Sequence, residues 1–262
     1  MALHQVTDEM RSEAADYLLR RFDNEGSVAN NITLFAEEAI DMLVAIVKRY
    51  GITSKQLIED KIPSLAREDV EAVVQWFIDS VAEACFVLAV DERTDNDWFV
   101  AFFAKPFVNG YTFADRMEQY GKRFGWQICL AIGALMYMGV KESMMREEIK
   151  SKMRDLYSAP WWIKMRDYYP NEFVDSGIGK GIPKSMVQAI ENLARQMIGN
   201  AFSQYEYEDK KNSGAIGYYI ERGSSYDCPE CDSLTNKFYY ISTPVPIPSH
   251  FNCKCLAVYV FE

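Results

Sequence analysis

Residues 228–255 read CPECDSLTNKFYYISTPVPIPSHFNCKC and hold four of the six cysteines and one of the two histidines of a 262-residue chain. Soft side chains gathered so tightly constrain the backbone around them, because they call for a common partner. Cys228 and Cys231 form C-x2-C, a spacing at which one tight turn presents two sulfurs to a single ion. His250, Cys253 and Cys255 follow as H-x2-C-x-C, and the intervening KFYYIS and prolines supply a hairpin that folds the two groups together. Four thiolate or imidazole ligands at tetrahedral positions suit zinc, and thiols kept reduced in a cytoplasm make disulfides the poorer use. Five candidates compete for four positions. The expected set is Cys228, Cys231, His250 and Cys253, with Cys255 as the main substitute because C-x-C is an awkward geometry for one ion.

The metal is expected to be structural. A small module at the end of a chain has too little core to hold itself, and structural zinc contributes on the order of 10 kcal/mol to folding in small zinc-finger peptides. A catalytic zinc needs an open position and a nearby acid or base. The deaminase pairing of H-x-E with P-C-x-x-C lacks its first half here, and H-E-x-x-H is missing from the sequence. With His4 at the start and His250 committed to metal, no histidine remains for Ser-His or Cys-His chemistry. Gly177–Ser185, GIGKGIPKS, departs from a phosphate loop at Ile178 and Pro183. Glu37, Glu38, Glu147 and Glu148 read as solvated helix faces, and Trp161 and Trp162 as core or interface residues. These readings predict no enzyme and no small-molecule substrate.

The rest of the chain speaks helix. Thr7 with Asp8 and Glu9 opens a first helix that NEGSVANN (24–31) is expected to end. A second runs from Thr33 to Gly51 with Phe35, Ile40, Leu43, Val44 and Val47 on one face. Thr53 and Gln56 match a capping box for a short third helix, and Ser64 opens a fourth carrying Val70, Val73, Phe77 and Val81. Cys85 and Cys129 fall on apolar helix faces as small buried residues. Further helices are predicted from Thr112 to Tyr137, from Ser143, and from Pro183 through Met186, Ile190, Leu193, Met197 and Ala201, with an irregular excursion over SAPWWIKMRDYYPNEFVDSGIGKGIP. GYYIERG, KFYYIS and CLAVYVF are strand vocabulary. The fold class is therefore α+β, a mainly helical body with a small C-terminal zinc-stabilised antiparallel β-module. It divides into an N-terminal helical region (1–109), a helical core (110–210) and the zinc-binding module (211–262).

A net charge of −10 disfavours sequence-independent attraction to DNA. No uninterrupted apolar run approaches the roughly 18 residues of a membrane span, and the N-terminus lacks the features of a signal peptide, so a cytoplasmic chain without membrane contact is expected.

Residues 192–255 resemble the C-terminal signature of the phage Mu F-like minor head proteins, the phage head morphogenesis family. LARQM (Leu193 to Met197) stands for an Ala-Arg-x-Glu-like segment with Gln196 at the acidic position, CPECDSLTNKFY for the C-x2-C stretch, and PSHFNCKC for the ending, where Phe251 and Lys254 replace Pro and Arg. A looser similarity covers residues 110–149. The resemblance implies a virion protein of a tailed phage, present in few copies at the portal region or capsid interior and in host cytoplasm during assembly. Its implied partners are portal or other capsid proteins and packaged DNA, and its implied role lies in head assembly and DNA packaging or delivery. A zinc-ribbon nucleic-acid binder is the alternative; a metal-dependent enzyme or an injected effector stands further off.

Overall fold

A computed structural model describes residues 6–89, 96–106, 110–171, 184–249 and 253–262. His4, His250, most of the polar run 91–97 and the glycine-rich stretch 177–183 lie outside the described residues. The architecture is the expected α+β: helices along most of the chain, then three short antiparallel strands near the C-terminus.

The first helix, α1, runs without interruption over Asp8–Arg49, which corrects the expectation of two helices parted at 24–31. Gly26 costs about 1 kcal/mol relative to alanine in a helix interior. Val28, Ala29 and Ile32 are buried and carry the apolar stripe straight through the polar letters. Tertiary burial thus outweighs local propensity. α2 (Ser54–Ile58) begins at the capping box read from the sequence: the Thr53 hydroxyl accepts from the Gln56 amide, and the Gln56 side chain accepts from the Thr53 amide. α3 spans Ser64–Ala89, with Phe77, Val81 and Cys85 fully buried. By length and composition α3 suffices to cross a membrane, with a hydropathy of 1.6 over its most apolar window and 44% of that window buried; a core helix passes the same test. α4 (Asn96–Phe103) was not anticipated.

α5 (Phe113–Tyr137) is capped by Thr112 and Asp115 in a second capping box, and α6 covers Glu142–Lys152. The excursion expected after Ser158 instead opens with α7, Pro160–Tyr168. Pro160 presets the first turn, and Trp161, Trp162 and Met165 bury one side of it, so aromatic burial makes helix of what reads as irregular. α8 is Met186–Asn212.

These elements form two compact units, one made of Asn30–Ala84 and Phe103–Asn192, the other of Met1–Ala29, Cys85–Phe102 and Leu193–Glu262. In the first, α3 lies directly on α5. A Cβ added at Gly121 would meet Ile78 at 2.3 Å and one at Gly125 would meet Val74 at 2.3 Å, so only glycine permits the approach. Phe77 and Phe124 stack beside them at 4.4 Å. The buried amide of Gln127 donates to the Tyr157 hydroxyl and accepts from the Met186 backbone at 3.0 Å, which satisfies a polar group inside an apolar helix.

The second unit packs the first part of α1 on α8, with Tyr17 donating to the Phe202 carbonyl at 2.9 Å. α4 adds Trp98, which stacks on Phe102 at 5.1 Å and donates to Glu208 at 2.5 Å. The sheet belongs to this unit. β1 (Gly217–Glu221) lies between β2 (Phe238–Tyr240) and β3 (Leu256–Val260), antiparallel to both.

Phe77→Ala is expected to lower stability by about 3–5 kcal/mol through the cavity it leaves, measured as a shift of the urea midpoint at unchanged slope.

Candidate metal centre

The register of the sheet decides where the cysteines meet. Glu221, the last residue of β1, faces Leu256, the first of β3. The chain leaving β1 toward Cys228 and the chain bringing Cys253 and Cys255 into β3 therefore occupy the same corner. A short helix, α9 (Pro229–Leu234), places Cys231. Cys228 caps it, its sulfur accepting from the Cys231 amide at 3.5 Å, with Pro229 in the first helical position.

Tyrosines hold the connecting loops against the sheet. Tyr218, fully buried in β1, the central strand, stacks on Tyr239 at 5.3 Å and donates to the carbonyls of Thr243 and Pro244 at 3.1 Å. Tyr207 of α8 donates to the Ile241 carbonyl at 2.6 Å, and Tyr239 to that of Leu234 at 3.0 Å. Beside them, Gly217 lies under the Phe238 ring; a Cβ there would reach the ring at 2.2 Å and the Tyr239 carbonyl oxygen at 2.4 Å.

The sulfurs of Cys231, Cys253 and Cys255 all lie within 4.8 Å of one another, and all three residues are buried. Cys231 and Cys253 stand 3.9 Å apart, far beyond a disulfide's roughly 2.05 Å. Two sulfurs each about 2.3 Å from a tetrahedral ion are separated by roughly 3.8 Å, so the spacing is one that a bound metal would span. The three-sulfur cluster is able to hold a metal ion.

The geometry also shows why Cys255 belongs. In nearly extended chain, alternate residues point the same way. Cys253 and Cys255 both turn inward while Lys254 is exposed, so C-x-C delivers two sulfurs to one place. Cys228 is half-buried, packs against the same apolar cluster and hydrogen-bonds with Cys231, but is not one of the three mutually close sulfurs. His250 lies outside the described residues. Cys85 and Cys129 are buried on their helices, as read from the sequence; burial pushes the Cys85 thiol well up and the Cys129 thiol up to about 12.

Within the cluster the protons are unevenly shared. A hydrogen bond from the Cys255 thiol is the largest influence on Cys253; with backbone hydrogen bonds from Cys255 and Ser249 and the Cys231 thiol it outweighs burial and lowers Cys253 to about 4. Burial, then the hydrogen bond with Cys228, raises Cys231 to about 11, and Cys255 is pushed upward by its bond to Cys253 and by burial. One sulfur carries charge on behalf of three, the state from which a thiolate ligand starts.

Two neighbours escaped the sequence reading. The Ser249 hydroxyl is 4.0 Å from the sulfurs of both Cys231 and Cys253. The buried guanidinium of Arg21, on α1, donates to the Cys253 carbonyl. Nothing local marks Arg21, whose partner is 232 positions away along the chain. Comparison with protein-family models, with curated proteins and with solved structures finds no match for this chain.

The metal-free cluster is expected to show a thiolate ultraviolet band that grows in at a pH far below the roughly 8.5 of a free thiol and is absent from Cys253→Ser. Because the folded value of Cys253 is depressed, its contribution to stability is fully present above the unfolded thiol's value and is lost as pH falls through about 4. Denaturant midpoints of the metal-free chain and of Cys253→Ser, compared across pH 4–9, check the sign.

Proposed function

We propose that residues 211–262 are a structural zinc module, that the chain acts by contact rather than turnover, and that it is a minor head protein of a tailed phage. The observation that carries the zinc reading is the convergence of Cys231, Cys253 and Cys255 from two loops onto one buried point. Cys228 and His250 are the candidates for the fourth position. The metal fixes the corner where β1 ends and β3 begins, and so holds Leu256–Val260 in register. The head-assembly role, at the portal or capsid interior and in DNA packaging or delivery, is supported by the residue pattern of 192–255.

A second reading, a zinc-ribbon nucleic-acid binder, draws support from the module itself. Tyr219, Phe238 and Tyr240 lie in a row, with ring centroids 5.3 and 5.2 Å apart and Tyr240 60% exposed. Aromatic rows of this kind stack on unpaired bases, each worth about 1–3 kcal/mol.

Chain purified without chelator is expected to carry one zinc, and stripping it should loosen the module, seen as a weaker near-ultraviolet tyrosine signal and a lower melting temperature. A module equally stable with and without zinc would sink the structural role. Filter binding of a single-stranded oligonucleotide across a salt series separates the two functional readings. Head assembly predicts weak binding indifferent to Tyr240→Ser and the chain's presence in purified phage particles; the ribbon reading predicts salt-dependent binding that Tyr240→Ser weakens about tenfold or more.

A further inference from the structure

The strongest tie between the cysteine corner and the rest of its unit is a buried cation. Arg21 is 3% exposed, lies on α1, and donates through Nη2 to the Cys253 carbonyl. Its Nε stands 3.1 Å from a carboxylate oxygen of Glu25, one turn along and also buried, in an ion pair without hydrogen-bond alignment. The grip continues on both sides. Lys254 lies over the Phe22 ring at 5.7 Å, and Leu18 packs where Gly223 meets the Lys254 carbonyl. One face of α1 thus touches the cysteine segment at the Cys253 carbonyl and the Lys254 side chain.

A buried arginine needs a reason, since desolvating a guanidinium is costly and a single carboxylate offsets it only in part. The Cys253 carbonyl supplies one, since the hydrogen bond to it fixes the backbone that carries Cys253 and Cys255 to their shared point with Cys231. A contact that helps hold the sulfurs where an ion needs them is in turn strengthened when the ion binds.

We propose that Arg21 is the positioning residue of the metal centre, orienting the Cys253 loop for the ion, and that loading the centre in turn seats the part of α1 up to Ala29. The inference rests on the zinc reading above. Metal occupancy is then felt at the start of the chain as well as at its end.

The test uses the full chain, stripped and titrated with zinc against a competing colorimetric chelator, together with amide hydrogen exchange over residues 8–29. Arg21→Gln is expected to weaken zinc affinity about ten- to a hundredfold, the usual cost of losing an outer-sphere partner, and Arg21→Lys to recover part of it. Exchange over 8–29 should slow on loading in the natural chain and respond less in Arg21→Gln, while α5 stays unchanged in both. If Arg21→Gln fails to fold, the exchange response of the natural chain over 8–29 decides the matter. Natural-chain zinc uptake with unaltered affinity in Arg21→Gln, or exchange indifferent to loading, overturns the inference alone. No uptake by the natural chain overturns the zinc reading itself and takes this inference with it.

Discussion

Because Glu221 and Leu256 face each other at the end of the β1–β3 ladder, two loops far apart in sequence must share one corner of the sheet. Everything at the cysteine cluster follows from that pairing. A slip of one residue would turn the inward tyrosines and both cysteines of the C-x-C pair to the opposite side. The strands are short, three to five residues, and such a sheet is marginal by itself. Tyr207, Tyr218 and Tyr239 contribute both apolar area and hydrogen bonds to main-chain carbonyls, but they reach the 241–244 turn and the end of α9 rather than the Cys253 end. That end is left to sulfur, to Arg21 and, on the zinc reading, to the ion.

The helical parts solve a different problem. Their cohesion comes from close approach, with glycines on α5 admitting Val74 and Ile78 of α3, and from buried hydrogen bonds such as those of Gln127. Packing of that kind tolerates little change in volume. The β-module is specified by register and by its buried cluster of tyrosines and cysteines, and the α3–α5 contact by shape.

Much of this could be read in advance. Capping boxes at Thr53 and Thr112 mark their helices because the interaction is contained within four residues. The three strands show as aromatic and β-branched runs, and the spacing marks Cys231 and Cys253 as members of one sulfur cluster. The misreadings share one cause. Asn24–Asn31 carries helix-breaking letters, and the stretch around Trp161 and Trp162 carries loop letters. Both are helical because Val28, Ile32, Trp162 and Met165 find burial that local sequence does not reveal. C-x-C reads from sequence as an awkward geometry for one ion, yet Cys253 and Cys255 are both buried while Lys254 is exposed, so the alternation brings their sulfurs to one place.

By itself the sequence determined the α+β class, the positions of the strands and the set of side chains from which a metal site can be built, since periodicity, capping and ligand spacing are properties of neighbouring residues. Only the tertiary structure decided which three sulfurs converge, how α1 runs through its polar middle, and that a guanidinium near the start of the chain holds a carbonyl near its end. Those outcomes depend on which buried surfaces meet, and contacts across hundreds of residues leave no trace in the order of the letters beside them.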